Sequence, residues 1–286
     1  MLKLIISPAK KMNVCNDSFL PQTEPVFLAQ SQKLLEYLRT RSAAQLKELW
    51  RCNDRILQLN MARLSSADLH RNLSPALLSY EGLQYQAMAP AVFDRAQWDY
   101  VKTHLFILSG FYGILRPFDG VIPYRLEMQA RLATPFCRDL YDFWGDSILR
   151  QLTASAKPAG SYPPTAHAEE PPCVIVDLAS KEYSKAVRLR PAAGASNAAE
   201  AACFLTCIFE SEAADGSRKV KATEAKMARG GMVRYLASCA ADSPEALKQF
   251  SERGFCFDPR RSCAEEFRFV KPYRPRVGTA GSAARP

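Results

Sequence analysis

The sequence predicts a mixed α/β domain. Short apolar runs are scattered along the chain, stretches with helical spacing and cap signals lie between them, and a hairpin signal appears late. The runs Leu4-Ile5-Ile6, Leu105-Phe106-Ile107-Leu108 and Val174-Ile175-Val176 suit buried strands. None approaches the roughly 20 apolar residues that span a bilayer. No regular strand–helix alternation runs through the chain, so at least one antiparallel hairpin is expected. The 286 residues, 48% hydrophobic and 23% charged, suffice for a core without staples. No composition break divides them. Residues 1–270 are expected to form one domain, and 271–286 a disordered basic tail.

Taken in order, Met1 to Ile6 reads as a first strand and not as a leader, which predicts a cytoplasmic protein. Pro25 marks a helix start, with Phe27, Leu34, Leu35 and Leu38 at helical spacing. Ser42 and Gln45 form a capping box, and Asn53–Leu64 repeats the pattern through Ile56, Leu57 and Leu59. Ser74-Pro75 has the form of a cap and first turn. A helix over 94–104, with Trp98 and Val101 inward, feeds the strand at Leu105. Tyr141–Gln151 reads as one helix. Residues 153–172 and 191–201, rich in small residues and Pro, read as exposed insertions. Cys173–Leu178 is a strand leading to a helix start at Ser180. Cys203–Phe209 and Lys219–Ala225 read as paired strands around Asp215-Gly216, followed by a helix from Lys226 to Ser238. A short helix starts at Ser243-Pro244, before strand-like pieces at 255–257 and 267–270.

Lys and Arg outnumber Asp and Glu by 38 to 29, a net charge of +9, which favours polyanionic partners. The excess concentrates in Arg218–Arg234 and Arg253–Arg276, readable as binding surfaces or as solvated faces. The nine cysteines are odd in number and sit in apolar surroundings without a CxxC pair. They read as small buried hydrophobes, with Cys203/Cys207 the nearest approach to a metal pair. No cofactor or metal is called for.

Several segments mix chemistry-bearing residues with turns. Ser7-Pro8-Ala9-Lys10 leaves a buried strand at its carboxyl end, where α/β ligand sites form. Ser-x-x-Lys is also a nucleophile spacing, but Pro8 opposes the helix that it needs. In Ser109-Gly110-Phe111-Tyr112-Gly113 the glycines permit either a tight structural turn or a phosphate cradle of backbone N–H groups. The same outline resembles the hairpin of a helix-hairpin-helix motif, although strand precedes it where that motif has helix. Arg116 and Asp119 follow. Arg125 and Glu127, two apart, share a face if extended and suit an ion pair or a ligand clamp. Asp142 and Asp146 lie among aromatics, and Glu182 follows the helix start at Ser180. Lys226 and Arg229, one helical turn apart and expected in the first turns of a helix, oppose its dipole unless an anion lies between them.

Six segments carry a resemblance together: Ile6–Lys10, Leu108–Asp119, Pro123–Met128, Leu140–Asp146, Leu178–Tyr183 and Ala225–Gly230. In this order they resemble the YaaA peroxide-stress family, from residue 1 to about 270. The resemblance implies an α/β fold with a positively charged cleft, a helix-hairpin-helix-like element, DNA binding with little sequence preference, and protection against hydrogen peroxide by limiting iron-linked damage. The chain departs from the family pattern at Lys11, where Thr is common, in the two insertions, and in the longer tail.

On this reading Ser7, Lys10, Ser109, Gly110, Tyr112, Gly113, Arg116, Arg125, Lys226 and Arg229 contact DNA, with Tyr112 stacking on an exposed base. Glu127, Asp142 and Glu182 exceed what a phosphate grip needs. They are either structural partners of the arginines or acid/base groups of an enzyme acting on a nucleotide or nucleobase. Iron sequestration is poorly served, because His70, His104 and His167 fall outside the motifs.

Overall fold

The computed structural model describes residues 2–15, 19–154, 173–188 and 202–274. The first half holds β1 (Leu2–Ile6), β2 (Lys11–Met12), α1 (Leu28–Arg39), α2 (Ala43–Trp50), α3 (Asp54–Ser65), β3 (Ser74–Pro75), α4 (Ala76–Ser79), β4 (Tyr80–Glu81), α5 (Leu83–Met88) and α6 (Arg95–His104). Then come β5 (Leu105–Ser109), β6 (Gly113–Leu115), β7 (Gly120–Val121), α7 (Leu140–Trp144), α8 (Ser147–Ala154), β8 (Cys173–Leu178) and α9 (Lys181–Arg188). The chain continues with β9 (Ala202–Glu212), β10 (Arg218–Lys219), α10 (Ala222–Ser238), β11 (Cys256–Phe257) and β12 (Glu266–Lys271).

One sheet runs β11-β12-β9-β8-β1-β5-β6, with β10 paired to β9. From β12 to β5 every pairing is parallel, while β11, β6 and β10 pair antiparallel. The mixed α/β class holds, as a single compact domain built on a mostly parallel sheet. The winding is more regular than the sequence suggests, since β8–α9–β9 is a βαβ unit. β1 lies between β5 and β8, and all five of its residues are buried, as expected of a parallel strand covered on both faces. Even Lys3 is enclosed. Its ammonium donates to the Leu152 carbonyl near the end of α8, lies 5.8 Å from the Phe106 ring, and has its pKa lowered by burial. No helix among the described residues is long and apolar enough to cross a membrane.

The capping box at Ser42/Gln45 starts α2 as expected, and the helices expected over 53–64 and 94–104 form, capped by Asn53 and Asp94. Four local expectations need correction. Helix α1 starts at Leu28, because Pro25 belongs to an extended lead-in where Thr23 bridges to Asp119. Ser74-Pro75 is a strand paired with β7, its hydroxyl accepting from the Cys15 amide at 2.9 Å, and the helix follows at Ala76. The expected helix 141–151 breaks at Gly145, whose φ of 49° a side chain would resist, giving α7 and α8. The strand after Asp215-Gly216 is only Arg218–Lys219, and α10 begins at Ala222. Lys226 and Arg229 therefore sit inside α10 and not in its first turn, so the dipole argument lapses.

Most of the expected insertion 153–172, all of 191–201 and residues 275–286 of the tail lie outside the described residues. Lys271, expected to open the tail, ends β12.

Helix α10 packs on α5 with almost no gap. A Cβ at Gly230 would lie 2.0 Å from the Gln84 carbonyl oxygen and 3.0 Å from the Met88 amide, both backbone atoms of α5. Backbone cannot swing aside as a flexible side chain can, so the helices would have to separate. Overpacking of this kind costs about 1–3 kcal/mol or more. Gly230→Ala is therefore expected to lower the thermal melting temperature by several degrees, measured by circular dichroism. Gly216→Ala, whose Cβ meets no atom but whose φ is 76°, is expected to lower it less.

Candidate functional site

Parallel pairing sets Ile6 of β1 opposite both Ile107 of β5 and Leu178 of β8. β1 and β8 thus end together, and the residues that follow them emerge side by side, while β5 runs on to Ser109. Ser7 joins two of these ends: its hydroxyl accepts from the Ser180 amide at 2.8 Å and donates to the Ser180 hydroxyl at 3.2 Å. Its carbonyl accepts from Tyr85 Oη at 2.9 Å. A cleft of ≈ 400 Å³ opens there, lined by Ser7–Lys11, Glu81–Tyr85, Tyr124–Glu127, Ser180, Glu182, Tyr183, Lys226 and Arg229. This is the crevice at strand carboxyl ends where α/β sheets place ligands.

The segment Tyr124–Glu127 forms one wall. Arg125 donates to the Trp50 carbonyl at 3.2 Å, at the C-terminal end of α2 where a cation is favoured, and pairs with Glu127 Oε1 at 3.2 Å. Glu127 Oε2 pairs with Lys10 at 2.9 Å. The spacing of two thus yields the ion pair that the sequence allowed. Lys11 pairs with Glu81 at 2.7 Å. Glu182, in the first turn of α9, accepts from the Gln129 amide at 3.1 Å. Burial raises its pKa, and the nearby Glu127 adds to the rise. Arg229 is held in α10; burial lowers its pKa, and the charge of Asp177 opposes that. Lys226 is exposed.

Below the cleft runs a hydroxyl chain. Ser109 Oγ accepts from the Phe111 and Tyr112 amides and lies 2.6 Å from Tyr124 Oη, which lies 2.8 Å from Tyr80 Oη. Burial pushes the Tyr124 phenol up to about 12.

Seven of the expected residues come together in the cleft: Ser7, Lys10, Arg125, Glu127, Glu182, Lys226 and Arg229. Six do not. Ser109, Gly110, Tyr112 and Gly113 are buried in the turn between β5 and β6, which joins two strands and not two helices. The amides of that turn are spent on Ser109, and Tyr112 Oη accepts from the Ile122 amide at 3.2 Å. Gly110 has another use: a Cβ there would lie 2.6 Å from the Leu126 carbonyl and 2.9 Å from the Glu127 carbonyl carbon. The turn therefore supports the cleft wall from beneath by close backbone approach. Arg116 holds buried Asp119 at 3.0 Å and the Glu24 carbonyl at 2.9 Å. Asp142 accepts from the Arg138 amide at 2.9 Å and pairs with its guanidinium at 3.2 Å, away from the cleft.

Sequence reasoning missed Glu81, Gln84 and Tyr85, which enter from β4 and α5; Gly82 beside them was the only local signal. The two basic stretches are neutralised in part. Arg218 pairs with Asp258, Arg234 with Glu252, Arg261 and Arg268 with Glu210, and Lys271 with Glu224.

A family model described as peroxide stress protein YaaA matches residues 2–261. The chain belongs to the YaaA family. Similar family proteins include a UPF0246 protein of Lactiplantibacillus plantarum, 44% identical over 269 residues, covering 94% of this chain and 99% of the relative. A UPF0246 protein of Desulfitobacterium hafniense is 44% identical over 270 residues, covering 94% and 98%. One from Agathobacter rectalis is 38% identical over 272 residues, covering 94% and 99%. The YaaA match includes every segment that lines the cleft.

The raised Glu182 pKa has a sign for stability. The folded protein holds this proton to higher pH than the unfolded chain does. Its contribution is full below the unfolded carboxyl pKa and is lost as pH rises through the folded one. Glu182→Gln fixes the neutral form. Its melting temperature is expected to fall less than that of the parent protein as pH rises from about 4 to 7, measured by thermal melts across that range.

Proposed function

We propose that this protein binds DNA through the cleft at the carboxyl ends of β1 and β8, with little sequence preference, as part of the response to hydrogen peroxide. In that role it limits iron-linked oxidative damage to DNA. One observation carries the reading: Lys10, Lys11, Arg125, Lys226 and Arg229, from three separate parts of the chain, line a single cleft against three carboxylates. An excess of cations around a concave surface favours a polyanion by releasing condensed counterions. The YaaA family description supplies the peroxide context. Lys10, Lys226 and Arg229 are the proposed phosphate contacts, Arg125 orients Glu127, and Arg116 is assigned to the fold.

Fluorescence anisotropy with a labelled duplex tests the reading. Affinity is expected to fall steeply from low to moderate salt. Lys226→Ala and Arg229→Ala are expected to weaken binding and to flatten the salt slope by about one unit per lost phosphate contact. No binding at low salt sinks the proposal. An unchanged slope in the double variant removes this pair from the DNA surface.

A second reading is favoured by Glu127 and Glu182, two carboxylates that a phosphate grip does not require. They suit acid–base chemistry on a nucleotide or nucleobase. If so, Glu127→Gln is expected to bind DNA yet fail to protect peroxide-treated cells lacking the native gene. Full protection by the folded variant counts against this chemistry.

A further inference from the structure

A second concavity, of ≈ 780 Å³, lies among the end of α1, helix α2 and residues 131–133. Arg41, Lys47, Arg51 and Arg131 line it, against one carboxylate, Glu48. Lys47 is paired with Asp54 at 2.6 Å. The Arg41 guanidinium lies over the Tyr37 ring at 4.4 Å and donates to Thr40 Oγ1 at 2.9 Å. The side chains of Arg51 and Arg131 are exposed and have no partner among the described residues. Unlike Arg218, Arg234, Arg261 and Arg268, these three arginines meet no carboxylate among the described residues. Tyr37 Oη donates to the Ala133 carbonyl at 2.7 Å and so ties α1 to residues 131–133. The groove adjoins the cleft at α2. There the Trp50 carbonyl holds Arg125 of the cleft wall, and the next residue, Arg51, lines the groove. The chain of that wall runs on through Met128 to Arg131.

Resting on the reading that DNA enters the cleft, we propose that the same DNA continues across the end of α2 and lays phosphates that flank the cleft against Arg41, Arg51 and Arg131. Each strand of a duplex carries a phosphate about every 3.4 Å of helix axis, so its backbone extends well past a cleft of ≈ 400 Å³. The groove beside the cleft is larger, and three of its four cations are arginines. A guanidinium offers a phosphate two N–H groups at once, which an ammonium cannot do with fixed geometry. The groove contributes one carboxylate, so it suits a uniformly anionic backbone better than a surface of mixed charge. Contacts of this kind set the position of DNA on the protein and do not read its sequence. They agree with a cleft that has little sequence preference.

The test measures the salt dependence of binding to one labelled duplex by fluorescence anisotropy. The double variant Arg51→Ser, Arg131→Ser is expected to flatten the salt slope by about two units, one per lost phosphate contact, and to weaken binding at low salt about tenfold. The control Arg71→Ser, Arg95→Ser removes equal charge from exposed positions that line neither the cleft nor the groove, and is expected to keep the parent slope. Glu48→Gln removes the carboxylate of the groove and is expected to tighten binding about two- to threefold, a gain that misfolding does not produce. Thermal melts confirm folding. If the double variant does not fold, Glu48→Gln decides by itself, and unchanged affinity there overturns the groove. A folded double variant that loses no more than the control also overturns it, and binding that still weakens in Lys226→Ala, Arg229→Ala then leaves the cleft reading standing. Loss in the groove variant with none in the Lys226/Arg229 variant supports the groove and removes the cleft. If no duplex binds, both fall.

Discussion

The register of β1 between β5 and β8 is the constraint on which the rest depends. Because Ile6 faces Leu178, the last residue of β8, the segments that follow β1 and β8 leave the sheet at one level, beside the end of β5. The Ser7–Ser180 hydrogen bonds are possible only there. A slip of one residue would turn every β1 side chain to the opposite face and separate these ends. The cleft is thus a property of the carboxyl ends of central strands, completed by the walls that α5, α10 and residues 124–127 add.

Charge in this molecule acts by placement and not by sum. Several arginines of the two basic segments are tied to carboxylates from distant parts of the chain, as Glu210 shows by holding Arg261 and Arg268 together. Paired surface charges of this kind contribute little to stability and less to the external field than their number suggests. Within the cleft Lys11 is likewise paired, with Glu81. Lys226 has no carboxylate beside it among the described residues, and Lys10 and Arg125 share one carboxylate, Glu127.

Much of the fold was legible because its signals are local. The capping box at Ser42, the helical spacing over 94–104 and the apolar runs of β1, β5 and β8 depend on neighbours in sequence. Helix α10 was misjudged at its start, since Lys219–Ala225 has no breaker to separate strand from helix and only the pairing partner Glu212–Ser211 ends the strand. In the site, Ser7, Lys10, Arg125, Glu127, Glu182, Lys226 and Arg229 were legible through their motifs. Ser109, Gly110, Tyr112 and Gly113 stood out for a different reason. Glycine permits close approach to any neighbour, and the sequence does not say whether that neighbour is a phosphate or, as for Gly110, the Leu126 carbonyl. Glu81, Gln84 and Tyr85 were illegible because tertiary packing of α5 on α10 brings them in.

The central position of β1 also bears on how the chain is made. Strand β1 pairs with residues 105–107 and 174–178, so its edge toward β8 stays open until β8 has been made. Such long-range parallel pairing is slow to form and leaves apolar strand edges exposed meanwhile. The nascent chain cannot close its sheet until β8 has emerged, and a stall before that point leaves a strand edge able to pair with other chains. Heat and oxidative stress, which crowd the cell with other unfolded chains, would bear on newly made copies of this protein more than on those already folded.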